Sequence, residues 1–184
     1  MSTDDWGALV LVLLAFALVA GLGAWWSVGR RIWAPASLLL LAAAAVVAAV
    51  PDDVAVEGRG LTALLVALGG LVAVVGGGPL TSSVFDLVDR RETPAESMDR
   101  AGHVLRGGAW IGALERAAIF GTLAAGWPEG LAIVLAVKGL GRYPELRAAE
   151  DGVRTGAAER FIIGTFASVL WACACAAVLA LVAR

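Results

Sequence analysis

Residues Trp6 to Trp26 read WGALVLVLLAFALVAGLGAWW, twenty-one positions without a charged side chain. At 1.5 Å per residue, a helix of that length covers about 30 Å, the thickness of a bilayer's hydrocarbon core. The tryptophans at its ends suit the membrane–water interfaces, where an amphipathic ring meets both solvents. Ahead of it stands Met1-Ser2-Thr3-Asp4-Asp5. A secretory signal needs a basic start and a short apolar run before a cleavage site; this start is acidic and the run is long. The stretch therefore reads as a retained first span.

The remainder of the 184 residues follows the same chemistry. Hydrophobic residues make up 60% and charged residues 16%, where a soluble domain carries about 25% charged. Mean hydropathy is +0.84. Lipid is the solvent that tolerates so much apolar surface. The net charge of -2 gives no basic field for nucleic acid. Alanine, valine, glycine, leucine and arginine dominate beside a single lysine, a bias that points to a GC-rich bacterial source and hence to the inner (cell) membrane.

The pattern predicts an all-α polytopic bundle of six spans. After the first come Trp33 to Val50, ending at Pro51-Asp52-Asp53, and the glycine-rich Leu61 to Leu80. The fourth runs from Gly108 to Trp127 and the fifth, after a tight turn at Trp127-Pro128-Glu129-Gly130, from Pro128 to Tyr143. It is expected to stop there because a residue before proline avoids the α region. The sixth runs from Phe161 to Ala183. Residues 1–80 then form a three-span apolar scaffold, 81–107 a cytoplasmic loop, and 108–184 a three-span half that carries charge.

Cation placement sets the orientation. Arg30, Arg31, Arg90, Arg91, Arg100, Arg106, Arg142, Arg147, Arg154 and Arg160 lie in the odd connections; only Arg59 and Arg184 lie on the other side. Positive charge stays inside, so the odd loops are cytoplasmic and both termini external. In loop three, Thr93-Pro94-Ala95-Glu96 is a capping box with proline at the first helical position. Met98, Ala101 and Leu105 follow at helical spacing, which predicts a short amphipathic helix over 94–106 on the membrane surface. His103 on that helix reads as a solvated side chain rather than a ligand. Cys173 and Cys175 are too few for a metal cage and badly placed for a disulfide, and read as small packing residues.

Charges interrupt the second half at membrane depth. Glu115 and Arg116 lie in the fourth span and Lys138 in the fifth. Each costs about 2.5–3.5 kcal/mol on insertion scales, so each needs a partner or water. Arg116 lies eleven residues before Trp127 and Lys138 eleven after it. A hairpin turning at Trp127 brings the three charges to one level, near mid-membrane. Arg142 follows Lys138 by one turn on the same face. Glu115, Glu145 and Glu159 are the carboxylates that can balance them. Glu159 also suits the positive end of a helix. Gly108 and Gly112 form a small-xxx-small pair, and Gly164, Ser168, Ala172 and Ala176 repeat every four residues; such stripes let helices approach closely. Two readings stay open. The cluster is a buried ion-pair network that fixes helix register, or it is a polar site for an ion, a proton or a small polar ligand.

Three segments carry a family resemblance: Gly108-Ala109-Trp110-Ile111-Gly112-Ala113-Leu114-Glu115-Arg116, then Leu135-Ala136-Val137-Lys138-Gly139-Leu140-Gly141-Arg142-Tyr143-Pro144-Glu145-Leu146, then Glu159-Arg160-Phe161-Ile162-Ile163-Gly164-Thr165. In this order they resemble the C-terminal half of the bacterial membrane family called domain of unknown function 3307, over about residues 76–181. Gly76-Gly77-Gly78 matches a glycine-rich helix end there. Gly139 stands where that family has serine, Arg160 where it has tyrosine, and the family's early histidine/aspartate/glutamine signature is missing. The resemblance implies an integral membrane protein and marks Gly112, Glu115, Arg116, Lys138, Arg142, Glu145, Glu159 and Gly164. It implies no activity.

No Walker loop, HExxH, GxSxG or CxxC pair occurs, and no paired aspartates lie in apolar helices. Gly139-Leu140-Gly141 lacks the third glycine and the preceding strand of a dinucleotide loop. An enzyme is disfavoured and no cofactor or metal is implied. The expected partners are the lipid bilayer and a second copy or another membrane protein. The expected function is transport or ion and proton coupling through Glu115, Arg116 and Lys138, or, alternatively, a non-catalytic structural or assembly role in a membrane complex.

Overall fold

A chain this poor in polar surface has to satisfy its backbone N–H and C=O groups within each segment, and a helix does so. The computed structural model describes residues 3–26, 29–50, 54, 56, 58–89, 108–148 and 151–182. Among them lie six helices: α1 (Thr3–Gly23), α2 (Arg30–Ala49), α3 (Arg59–Asp89), α4 (Gly108–Ala124), α5 (Glu129–Ala148) and α6 (Asp151–Val182). The amphipathic helix expected over 94–106, with His103, lies outside the described residues.

Four of the six are long and apolar enough to cross a membrane by length and composition: Asp5–Gly23, Arg30–Ala49, Arg59–Val88 and Ala158–Val182. The two others differ for separate reasons. α4 has 17 residues. α5 has 20, but Glu129, Lys138, Arg142, Glu145 and Arg147 dilute its apolar character. The sequence count of six is therefore met by four helices on these criteria.

Three helix ends need correction. α5 continues through Pro144 to Ala148, where the sequence reading stopped at Tyr143. α3 continues through Pro79 to Asp89, nine residues past Leu80. Proline removes one donor, the one that would serve the carbonyl four residues earlier, and a helix held by neighbours can absorb that loss. The sixth helix likewise starts at Asp151, ahead of Phe161.

α3 is the central element and packs against α1, α2, α4 and α6, whereas α5 lies at the edge, mainly against α4. Small residues set the spacing. A Cβ on Gly21 would lie 3.2 Å from the Gly76 Cα, so α1 and α3 approach backbone to backbone. Ser37 of α2 is buried and donates to the Ala17 carbonyl at 2.9 Å. Around them Val10, Leu14, Ala44, Val72, Cys175 and Val178 are fully buried. Large apolar side chains face outward instead, among them Trp110, Leu140, Phe166 and Leu170. Water would penalise that surface; lipid does not.

The α4–α5 turn has a specific lock. Gly126 takes φ +72, the left-handed conformation that costs glycine least. The Trp127 N–H then donates to the Thr122 carbonyl at 2.8 Å and the Gly126 N–H to the Leu123 carbonyl at 3.0 Å. This is a Schellman closure, and it turns the chain back to make α4 and α5 antiparallel.

Candidate functional site

The site is built on the backbone of α3, at Gly76-Gly77-Gly78-Pro79. Proline has no N–H, so Pro79 leaves the Val75 carbonyl without its helical donor. The indole N–H of Trp25, just past α1, donates to that carbonyl at 3.1 Å. One residue earlier, the Val74 carbonyl accepts from Arg116 Nε at 3.2 Å and Nη2 at 2.9 Å. The Trp171 indole of α6 donates to the Val72 carbonyl at 3.1 Å. Side chains from three regions thus converge on one stretch of α3.

Glycine makes the convergence possible. A Cβ on Gly77 would lie 2.7 Å from Arg116 Nε and 2.9 Å from Trp171 Cδ1, and one on Gly76 would lie 2.6 Å from Trp171 Cζ2. No larger residue fits there without displacing those groups. Arg116 is 3% exposed, and its remaining contact is from Nη1 to the Ser168 hydroxyl at 3.2 Å. Both the Val74 carbonyl and the Ser168 hydroxyl are neutral oxygens.

Glu115 turns the other way. Its Oε2 accepts from Lys138 Nζ across the α4–α5 hairpin. Lys138 also lies over the Phe161 ring, 5.7 Å from its centroid. The pair is 14% exposed on the lysine and 10% on the glutamate. Mutual attraction offsets part of what burial costs each charge. The second carboxylate oxygen, Oε1, is buried and accepts no hydrogen bond among the described residues, and the Thr165 hydroxyl likewise has no hydrogen-bond partner among them.

Glu115, Arg116 and Lys138 line a cavity of about 370 Å³. Every helix or its flank contributes to its wall: Trp25 past α1, Arg30 at the start of α2, Thr81 and Phe85 late in α3, Gly112 early in α4, Arg142 in α5, and residues between Arg160 and Ser168 in the middle of α6. Arg160 lies 5.3 Å over the Phe85 ring. Arg30 is paired with Asp86 of α3 at 3.1 Å.

The sequence-derived residues divide accordingly. Glu115, Arg116, Lys138, Arg142, Gly108, Gly112, Gly164 and Ser168 all line the cavity. Glu159 is exposed and does not. Glu145 lies on α5, with its side chain outside the described residues. The small residues expected to pack helices meet different surroundings. A Cβ on Gly108 would meet nothing within 4 Å, one on Gly112 would meet Arg116 Nη1 at 3.1 Å, and one on Gly164 would meet Phe85 Cζ at 3.0 Å. Ser168 is an acceptor for Arg116. Sequence reasoning missed Trp25, Arg30, Phe85 and the Val74 carbonyl as parts of the site. Pro79, four residues after Val75, was the signal that α3 would expose a carbonyl.

Compared with protein-family models, with curated proteins and with solved structures, the chain matches none.

Proposed function

We propose that the chain is an inner-membrane protein with six spans, cytoplasmic odd connections and external termini, and that its cavity serves transport or ion coupling. The observation that carries this reading is the placement of the Glu115–Lys138 pair on a cavity wall. A register-fixing pair needs no such space; a site for a passing ion or solute does. The six-span count is supported by the hairpin lock at Gly126 and by the way α5 disposes its side chains. Lys138 turns inward to Glu115, while Ile133, Val137 and Leu140 are exposed. The resemblance to the family called domain of unknown function 3307 draws attention to the same positions.

The test is solute flux in proteoliposomes for wild type, Glu115→Gln and Lys138→Met, with expression level measured beside it. Flux of protons or small ions that falls in both variants at unchanged expression is the expected result. A second reading, a structural member of a membrane complex, is favoured by Arg116, whose hydrogen bonds to Val74 and Ser168 tie α4 to α3 and α6. Failure of the variants to accumulate, with no flux from wild type, would establish that reading instead. Orientation is tested with a single cysteine at Asp53 in a Cys173→Ala/Cys175→Ala background. An impermeant thiol reagent applied outside should label it; labelling only from the cytoplasm reverses the topology.

A further inference from the structure

We propose that Glu115 binds a proton and that its protonation frees α5 to swing about the α4–α5 turn. This deepens the proposed function, on which it rests, by naming the coupled ion and the element that moves. Glu115 uses one carboxylate oxygen, Oε2, for Lys138. The other, Oε1, is buried with no hydrogen-bond partner among the described residues. The side chain is 10% exposed and lines the cavity. An ionised carboxylate can accept on both oxygens, and a buried acceptor left unpaired costs about 1–3 kcal/mol. A proton removes the charge that makes this costly and needs only one lone pair. A hard metal ion takes about six oxygen ligands. The described residues hold no cluster of that kind, and the one carboxylate on the wall lies beside Arg116 and Lys138.

The step is a single transfer. Hydronium in the cavity gives its proton to Oε1; one O–H bond forms, one breaks, and water is left. The carboxylate becomes a neutral carboxylic acid. Lys138 then loses the attraction of an opposite charge and keeps only a bond to a neutral oxygen, which is the weaker contact. The other charged groups on the wall are Arg116 of α4, Arg142 of α5, Arg160 of α6 and Arg30 of α2. Arg30 is paired with Asp86 of α3, and Arg142 and Arg160 have contacts of their own. Arg116 stays on the Val74 carbonyl and the Ser168 hydroxyl. The change in charge therefore acts on the tie to Lys138.

The packing of α5 is uneven along its length. It lies at the edge of the bundle, mainly against α4, and among its described residues only Gly130 is buried. At the turn the fit is tight. A Cβ on Gly130 would lie 2.5 Å from Thr122 Cγ2 and 2.9 Å from Trp127 Cε3, and the bonds from Gly126 and Trp127 close the chain there. Toward the far end the fit is open. A Cβ on Gly139 or on Gly141 would meet nothing within 4 Å. Lys138 stands next to that open stretch, so the Glu115–Lys138 pair holds the loose end while the turn holds the other. Lys138 and Arg142 face the cavity, and an outward swing of this end widens it.

The experiment measures spin-label distances in full-length protein in phosphatidylcholine nanodiscs, in a Cys173→Ala/Cys175→Ala background. Leu39→Cys on α2 carries one label, and Leu140→Cys or Ile133→Cys on α5 the other; all three side chains are exposed. At 1.5 Å per residue, Leu140 lies about 17 Å along α5 from Glu129 and Ile133 about 6 Å. A tilt of about 15° displaces them by about 4 Å and about 1.5 Å on that geometry. We expect the Leu140 label to shift as the pH is lowered from neutral, about three times as far as the Ile133 label. Glu115→Gln imitates the protonated carboxyl and should hold the shifted distance at every pH. Should that variant not fold, infrared spectra of wild type with isotope-labelled glutamate take its place: a protonated-carboxyl band must grow with the midpoint of the distance change. A wild-type distance that ignores pH, a pH response that survives in folded Glu115→Gln, the lack of such a band, or equal shifts at Leu140 and Ile133 would each overturn the proposal. A pH-driven swing without proton flux keeps the switch and removes transport. Flux that needs Glu115 while α5 stays still does the reverse.

Discussion

The α1–α2 and α4–α5 hairpins are held together by different chemistry. Between α1 and α2 the contacts are apolar and small, with one hydroxyl bond from Ser37 to the Ala17 carbonyl. Between α4 and α5 the principal polar tie is the Glu115–Lys138 pair, below a turn locked by Gly126. Lipid gives apolar side chains little reason to prefer each other, so helices associate through close fit or through polar contacts. The first hairpin uses fit. The second uses charge, which also leaves α5 at the edge of the bundle and the cavity beside it. The seam between the hairpins, at Gly76-Gly77-Gly78-Pro79, uses both devices at once.

Substitution at that seam should have the largest effect. Gly77→Leu puts a branched side chain where Arg116 and Trp171 lie. Overpacking costs about 1–3 kcal/mol, and losing hydrogen bonds from a charged donor adds about 1.5–3. We expect little folded protein by fluorescence-detected gel filtration. Gly121→Leu is the matched control, since a Cβ at Gly121 meets nothing within 4 Å. It should behave as wild type. Equal loss in both would show that glycine matters here for helix flexibility rather than for space.

The charge in the second hairpin comes next. Lys138→Met leaves Glu115 with no cation across the hairpin. Breaking a fully buried pair costs about 3–5 kcal/mol, and the 10–14% exposure toward the cavity brings the expectation down to about 2 kcal/mol. Adding Glu115→Gln removes the orphaned charge, so the double variant should melt higher than Lys138→Met alone. A cycle of the four proteins measures the coupling. Strict additivity would mean that the two side chains do not interact.

The contrast between the hairpins also explains what the sequence discloses. The four apolar helices are readable because about twenty successive apolar residues have few other structures open to them. The meeting of Glu115 with Lys138 follows from counting residues on either side of Trp127, since a hairpin equalises depth. What could not be read was tertiary. Arg116 is adjacent to Glu115 in sequence, yet it bonds to a carbonyl forty-two positions away rather than to a carboxylate. The local pattern around Arg116 does not encode that choice; Pro79 and the glycines of α3 do, by making an acceptor available and clearing the approach to it. Pro144 was taken as a boundary because the rule about proline is local, whereas packed neighbours decide whether a helix continues.

In the first hairpin, Ser37→Ala is the counterpart of Lys138→Met. It removes the one buried hydroxyl bond between α1 and α2. The Ala17 carbonyl lies within α1 and keeps its helical donor, so no acceptor is orphaned. The expected loss is about 1 kcal/mol or less, visible as a small drop in melting temperature. A loss as large as that of Lys138→Met would mean that the first hairpin depends on polar contacts after all.

Arg30→Gln should have the smallest effect on stability. The Arg30–Asp86 pair spans α2 and α3 at 3.1 Å, but its side chains are 35% and 50% exposed. Exposed pairs contribute about 0–1 kcal/mol, because solvent and salt screen the attraction and two flexible side chains must be held still. The variant should melt within a degree or two of wild type. Its consequence should fall instead on the cavity, where Arg30 supplies one of the lining cations. An unchanged melting temperature together with altered ion flux in proteoliposomes would separate the two roles of charge in this molecule. The Glu115–Lys138 pair joins helices; Arg30, paired with Asp86, lines the cavity. A melting temperature lowered as far as that of Lys138→Met would instead make Arg30 part of the framework, and charge would then fasten both sides of the seam.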